Sequence, residues 1–154
     1  MKRLGVVAIL LLAFAGIADS VYLAQHELSG TPLLCNIDSL SGCNTVAASS
    51  YSYLFGIPVA LYGVFFYAVV FMLAALELVL FDRLLRRLLQ GAALVGFIAA
   101  LYFTSVQTFV IQAFCIYCLL SAAIDVALFV IATGLEPLRR NALPRVPLPM
   151  PPAS

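Results

Sequence analysis

The residues with the most chemistry to offer in this chain are four cysteines, which fall into two differently spaced pairs. Cys115 and Cys118 form a Cys-Ile-Tyr-Cys motif. Residues i and i+3 share one face of a helix, so these two sulfurs can close a small, strained and readily exchanged ring, and Cys-x-x-Cys is a recurrent redox spacing. The first turn of a helix also favours an anion, which predicts a lowered pKa and a better thiolate at Cys115. Cys35 and Cys43 have seven residues between them, in a Ser- and Gly-containing stretch expected to be able to swing. Three chemistries are open to such a set: thiol–disulfide exchange, two inert disulfides that staple a fold, or a site of four thiolates for a metal. For the last, Cys-x7-Cys is wide compared with the close pairs zinc usually takes. The sole histidine, His26, reads as an interfacial side chain rather than a ligand.

The elements that must carry these cysteines are set by composition. Of 154 residues, 64% are hydrophobic and 10% charged, against roughly 45–50% apolar and about 25% charged in an average soluble domain. A soluble core cannot hide that much apolar side chain. Four runs suffice to cross about 30 Å of hydrocarbon, which takes roughly 20 helical residues: Leu4 to Leu23, Ile57 to Leu80, Leu88 to Ile111 and Phe114 to Leu135. Lipid offers no partner to backbone polar groups, so runs of this length must be helices. The expected architecture is an all-α membrane protein, a four-transmembrane-helix bundle of residues 1–136. Residues 137–154 form a Pro-rich cytoplasmic tail, with Pro144, Pro147, Pro149, Pro151 and Pro152, expected to be extended or disordered. No internal repeat is apparent, and no basic cluster with interleaved aromatics points to nucleic acid.

Charge sets the orientation. All eight Lys and Arg residues (Lys2, Arg3, Arg83, Arg86, Arg87, Arg139, Arg140, Arg145) fall on one side of the four runs, the side that faces the cytoplasm. Both termini are then cytoplasmic, and all four cysteines lie on the outer, exoplasmic face, the compartment where disulfides persist. A cleaved signal peptide is a rival reading of the N-terminus, from Lys2 and Arg3 through the small residues Gly16 and Ala18. The apolar run continues through Val21, Tyr22 and Leu23, longer than a signal core needs, which favours an uncleaved helix. Between the first two helices lies a long exoplasmic loop. Its segment from Asn44 to Phe55 is expected to form a short interfacial helix, capped by Asn44 or Thr45, with Val46, Ala47, Tyr51, Leu54 and Phe55 as its apolar face.

Taken together, Cys35-x7-Cys43, Val46, Ser49, Tyr51, the Phe55-Gly56-Ile57-Pro58 lead-in to the second helix and the later Cys115-x-x-Cys118 resemble the vitamin K epoxide reductase family in its small prokaryotic form. The resemblance covers roughly Leu4 to Leu135. DsbB-like proteins are near rivals, but they place Cys-x-x-Cys in the first outer loop and a wide pair in the second, the reverse of this order.

The resemblance implies a quinone-dependent thiol oxidoreductase of the prokaryotic inner membrane that generates disulfides. Cys35 and Cys43 would be the shuttle pair, oxidising a thioredoxin-fold protein and passing electrons to Cys115 and Cys118. Cys115 would take the disulfide from the loop, from Cys43 by preference, and Cys118 would face a ubiquinone or menaquinone. Ser49 matches the family's serine six residues beyond the second loop cysteine. The bland alternative for Ser49 is a hydroxyl bonded back to a helical carbonyl. Two family contacts to the quinone are missing: residues 57–80 contain no Asn, and Ala122 stands where animal members have Tyr. Gln107 and Tyr62, at a depth similar to that of Cys118, are candidates in their place. The absence of the animal-type Asn and Tyr makes oxidation of a protein partner a better expectation than reduction of vitamin K epoxide. No fused thioredoxin-like domain follows the bundle, so the partner is expected to be a separate, exported, DsbA-like protein.

Asp125 is the one acidic residue expected deep inside a span. It lies two turns beyond Cys118 on the same face, and its expected role is a structural hydrogen bond to Tyr102 or Tyr67.

Overall fold

The computed structural model describes residues 2–33, 42–80 and 82–135. Cys35, the loop around it and the Pro-rich tail therefore lie outside the described residues. In chain order the elements are α1 (Lys2–Ser29), α2 (Cys43–Ala47), a 3₁₀ turn (Ser50–Ser52), the two-residue strands β1 (Tyr53–Leu54) and β2 (Ile57–Pro58), α3 (Val59–Leu80), α4 (Arg83–Ser105), a π-helical stretch (Val106–Ile111) and α5 (Ile116–Leu135). Four of these helices are long and apolar enough to cross a membrane, α4 together with its π-helical continuation. The chain is a multi-pass, predominantly helical membrane protein, as its composition predicts.

Packing follows from the apolar surfaces. α1 lies against α3 and α5, and α4 against α5 and α3, so the four long helices close a ring. Their shared interior is a cluster of Ile9, Ala13, Tyr67, Val70, Leu89 and Leu128 with their neighbours. The outward faces carry large apolar side chains such as Phe65, Val79 and Val130, which water would reject and lipid accepts.

At the end of the bundle away from the cysteines, Asp82 caps α4, its Oδ1 accepting from the Leu84 N–H at 2.9 Å. Arg86 turns inward and donates to Glu77 Oε1 through Nη2 at 2.6 Å and Nε at 3.0 Å. Gln90 Nε2 donates to the Ala132 carbonyl at 3.1 Å, tying α4 to α5. Glu77 is only 1% exposed, and Asp19 is buried as well, so Asp125 is not the only acidic residue buried within the bundle. A helix apolar on all sides hides which face turns inward, and the sequence pattern therefore gave no warning of either.

The segment expected as one interfacial helix from Asn44 to Phe55 is broken into pieces. A short helix is present, but α2 stops at Ala47, and the chain leaves helical geometry at Ser49. Two residues, Phe55 and Gly56, then close a hairpin in which Tyr53 pairs with Pro58 and Leu54 with Ile57. Both turn residues have positive φ, 54° and 79°, the signature of the two-residue turn that best suits strand twist. Glycine takes that conformation freely, and Phe55 does so at some strain. Asn44 does not cap α2. Its Oδ1 accepts from the Leu33 N–H at 2.8 Å, which pins the two flanks of the cysteine loop together.

Candidate active site

The sequence separates Cys43 from Cys115 by 72 positions (115 − 43), and the fold brings them into one buried cluster. Cys43, Cys115, Leu23, Leu33 and Val46 form its centre, with Cys118, Ile111 and Tyr117 packed against it. Cys43 is 0% exposed and Cys115 1%. Glycine is what permits this approach. A Cβ on Gly42 would meet Ala113 Cβ at 2.9 Å and the Phe114 backbone at 3.0 Å, so the loop sits directly on the α4–α5 link. Cys43 is disulfide-bonded, whereas Cys115 and Cys118 are free thiols.

Cys115 immediately precedes α5, and its carbonyl accepts the first intrahelical bond, from the Leu119 N–H at 3.0 Å. It thus occupies the position from which a side chain can receive the unpaired N–H groups of a helix start. Its thiol pKa is pulled down to about 7, first by a hydrogen bond from the Cys118 thiol and also by the backbone N–H groups of Cys118 and Tyr117, with burial opposing. Gln107 holds the same residue from the other side, its Oε1 accepting from the Cys115 N–H at 3.1 Å. The π-helical stretch that carries Gln107 has a wider turn than α4, and such insertions re-aim side chains at functional sites.

Below this cluster a cavity of about 290 Å³ runs into the bundle, lined among others by Cys43, Cys115, Cys118, Ser49, Tyr62 and Gln107. The sequence-derived candidates within the described residues therefore converge on one space. Their polar atoms are partly engaged with the protein itself. Ser49 Oγ donates to the Val46 carbonyl at 2.7 Å, and Ser52 Oγ donates to the same carbonyl. Ser49 thus makes the bond back to a helical carbonyl that its bland reading describes, while still facing the cavity. Tyr62 donates to the Leu54 carbonyl at 3.2 Å, latching the hairpin to α3.

Deeper on the same wall lie residues whose role the sequence pattern did not reveal. Ser121, one turn beyond Cys118, donates to Asp19 Oδ2 at 2.6 Å, bridging α5 to α1. The Tyr67 hydroxyl donates to the Ser121 carbonyl at 3.2 Å and lies against Asp125. Of the two tyrosines expected to meet Asp125, Tyr67 does so, whereas Tyr102 is 56% exposed on the outside of α4. Helix rotation explains the difference, since depth alone does not decide which face a residue takes. His26 is an end-of-helix side chain, bonded through Nδ1 to Thr31 Oγ1 at 2.9 Å and packed on Tyr22. Among the described residues, no group of three or more His, Cys, Asp or Glu is placed to hold a metal ion.

None of the curated proteins compared with the chain matches it. Among protein families, residues 7–133 match the profile of the Vitamin K epoxide reductase family. That stretch runs from the first span to the fourth and contains both flanks of the cysteine loop, the hairpin and the Cys-x-x-Cys turn. The chain belongs to the vitamin K epoxide reductase family, and with it to the membrane oxidoreductases.

Proposed function

We propose that this protein is a quinone-linked thiol oxidoreductase that generates disulfides in a separate, exported, thioredoxin-fold (DsbA-like) partner. The observation that carries the reading is the burial of Cys43 and Cys115 in one cluster, with Cys118 beside them on the wall of a cavity that enters the bundle. Inert staples have no need of a second, free thiol pair packed on the first, nor of a chamber next to it.

The steps are two exchanges and one reduction. A reduced partner attacks the Cys35–Cys43 disulfide, leaves as a disulfide itself and makes the loop a dithiol. Cys43 then attacks an oxidised Cys115–Cys118 pair through Cys115, and the loop disulfide re-forms as that pair takes up two electrons. Cys115 suits this role, since a thiol whose pKa lies near ambient pH combines a useful thiolate fraction with good nucleophilicity. Cys118 faces the cavity. Closure of the Cys115–Cys118 bond releases two electrons and two protons, which together convert a quinone to its quinol. A membrane quinone supplies the driving force, because even the strongly oxidising DsbA couple sits at about −120 mV and needs a more positive acceptor. The residues fit such a substrate in two respects: the cavity is close to the roughly 300 Å³ at which small-molecule sites begin, and it is mostly apolar with a few polar atoms.

The sidedness belongs to the same proposal, with both termini cytoplasmic and the cysteines on the outer face of a prokaryotic inner membrane. The test is anaerobic mixing of the purified protein with a reduced DsbA-like protein and ubiquinone or menaquinone, following quinol and partner thiols. One quinol per partner disulfide is expected. Partner thiols that persist while quinone stays oxidised would remove the proposal.

A further inference from the structure

The α5 wall of the cavity carries a polar row of Cys118, Ser121 and Asp125, with Tyr67 reaching over from α3. Ser121 and Tyr67 spend their hydroxyl protons within the protein, on Asp19 and on the Ser121 carbonyl. Asp125 is different. It is 9% exposed, and although its carboxyl lies against the Tyr67 hydroxyl, its Oδ1 has no hydrogen-bond partner among the described residues. An unmatched carboxyl oxygen in an apolar bundle is costly, and such groups call for a missing partner. Glycine lets the carboxyl pack close to α4: a Cβ on Gly96 would lie 3.1 Å from Asp125 Oδ1 and 2.7 Å from the Phe66 ring. Ala122, also on the cavity wall, contributes no polar group.

We infer that Asp125 binds the quinone, taking the ring oxygen farther from Cys118, so that the head group lies along α5 between the two. This rests on the quinone-linked reading above. Seven residues at about 1.5 Å each set Cys118 and Asp125 about 10 Å apart along the helix. That length accommodates a quinone ring with a contact of about 3 Å at each end. A carboxyl also serves both forms of the couple: with its proton it donates to a quinone carbonyl, and without it accepts from a quinol hydroxyl. Gln107 and Tyr62, the candidates from sequence, already hold Cys115 and the hairpin.

The experiment uses the full chain in detergent with two probes, short-chain ubiquinone and menadione, and reads binding rather than turnover. Asp125→Leu is expected to weaken both at least about tenfold, the loss of one hydrogen bond to a charged or strongly polar group, and Asp125→Asn by no more than about threefold. Infrared difference spectra of wild type with and without quinone are expected to show a perturbed carboxyl band that vanishes in Asp125→Asn. Wild-type affinity in Asp125→Leu, or a difference spectrum without that band, overturns the assignment. If Asp125→Leu fails to fold, the comparison of wild type with Asp125→Asn decides alone. A wild type that binds neither probe and forms no quinol overturns the parent reading as well, whereas binding insensitive to Asp125 removes only this inference.

Discussion

The two ends of the bundle both bury polar groups and use them differently. At the end near Leu80 and Arg83, Glu77 meets Arg86 and Gln90 meets a carbonyl of α5, so polarity joins helices. At the cysteine end, Cys115 and Cys118 remain free thiols, Gln107 and backbone N–H groups converge on one sulfur-bearing residue, and Asp125 keeps an oxygen without a partner among the described residues. Intramembrane polar groups are functional suspects by default. Glu77 Oε2 also lacks a partner among the described residues, so what separates the two ends is where the polar groups face: Asp125, Cys115 and Cys118 line the cavity, and Glu77 stands clear of it.

The largest expected break in this contrast comes from Cys118. In Cys118→Ala the inner pair cannot close, and quinol formation is expected to fall to background. Cys115 should then trap the loop as a mixed disulfide, seen as a reductant-sensitive mobility shift after alkylation. Sustained quinone turnover by this variant would show that Cys118 is not the residue on the quinone side.

Next in size is the loop. Cys43→Ala is expected to abolish oxidation of the protein partner, since no shuttle disulfide remains. Quinone reduction by a small dithiol that enters the cavity should stay within about twofold, because Cys115 and Cys118 keep the exchange chemistry to themselves. Equal loss of both activities would mean that the loop shapes the quinone site and does not merely deliver electrons to it.

The opposite end should give the reverse pattern, loss of stability with chemistry intact. Removing one partner of a buried ion pair costs about 3–5 kcal/mol, which for a chain of this size lowers the melting temperature on the order of 10 °C. Glu77→Ala is therefore expected to melt earlier in detergent while the folded fraction keeps its quinone turnover. Replacing both Glu77 and Arg86 by Leu should recover much of the loss. A Glu77→Ala protein with normal melting and impaired turnover would erase the distinction between the ends.

How far the sequence anticipated this arrangement depends on which physical signal each residue carries. The four spans were legible because apolar length is nearly sufficient evidence for a membrane helix, and the cysteine spacing pointed to exchange chemistry. The region from Asn44 to Phe55 was harder. Its apolar residues suit a surface helix, but Asn44 is drawn to Leu33 and the Phe55-Gly56 turn forms a hairpin, so tertiary contacts and turn geometry override the pattern. Asp19 and Glu77 were visible as letters but not as buried groups. Their partners, Ser121 and Arg86, are chosen by helix rotation, which an all-apolar helix does not encode in its periodicity. Gln107 was picked for its depth. Its bond to Cys115 depends on the π-helical turn, for which a single sequence carries no clear sign.

A smaller effect concerns pH. The depressed pKa of Cys115 means that its thiolate is lost as pH falls through about 7, below the range of an ordinary thiol. Alkylation of Cys115 should therefore rise with pH and reach half its maximum near 7 in the reduced protein. Since the largest cause is the Cys118 thiol, Cys118→Ala should move that midpoint upward. A midpoint that stays near 7 in the variant would assign the depression to the helix start alone.

The smallest effect separates two roles for Gln107. Its carbonyl oxygen accepts the Cys115 N–H at 3.1 Å, and both residues also line the cavity. If Gln107 positions Cys115, Gln107→Leu leaves a buried N–H unsatisfied, a loss of about 1–3 kcal/mol in the worst case and less once the turn relaxes. The rate of exchange from the loop to Cys115 should then drop by up to about tenfold, while affinity for quinone is unchanged. If Gln107 is instead a quinone contact, the same variant weakens quinone binding and leaves loop exchange alone. The geometry supports the first pattern through the bond from the Cys115 N–H to Oε1; the second would have to use the Nε2 amide, the group of Gln107 able to donate to a quinone carbonyl. Single-turnover exchange followed by acid quench, paired with quinone titration of the same preparation, reads the two quantities separately. A lowered quinone affinity with normal exchange would return Gln107 to the quinone site and leave the position of Cys115 to the helix start.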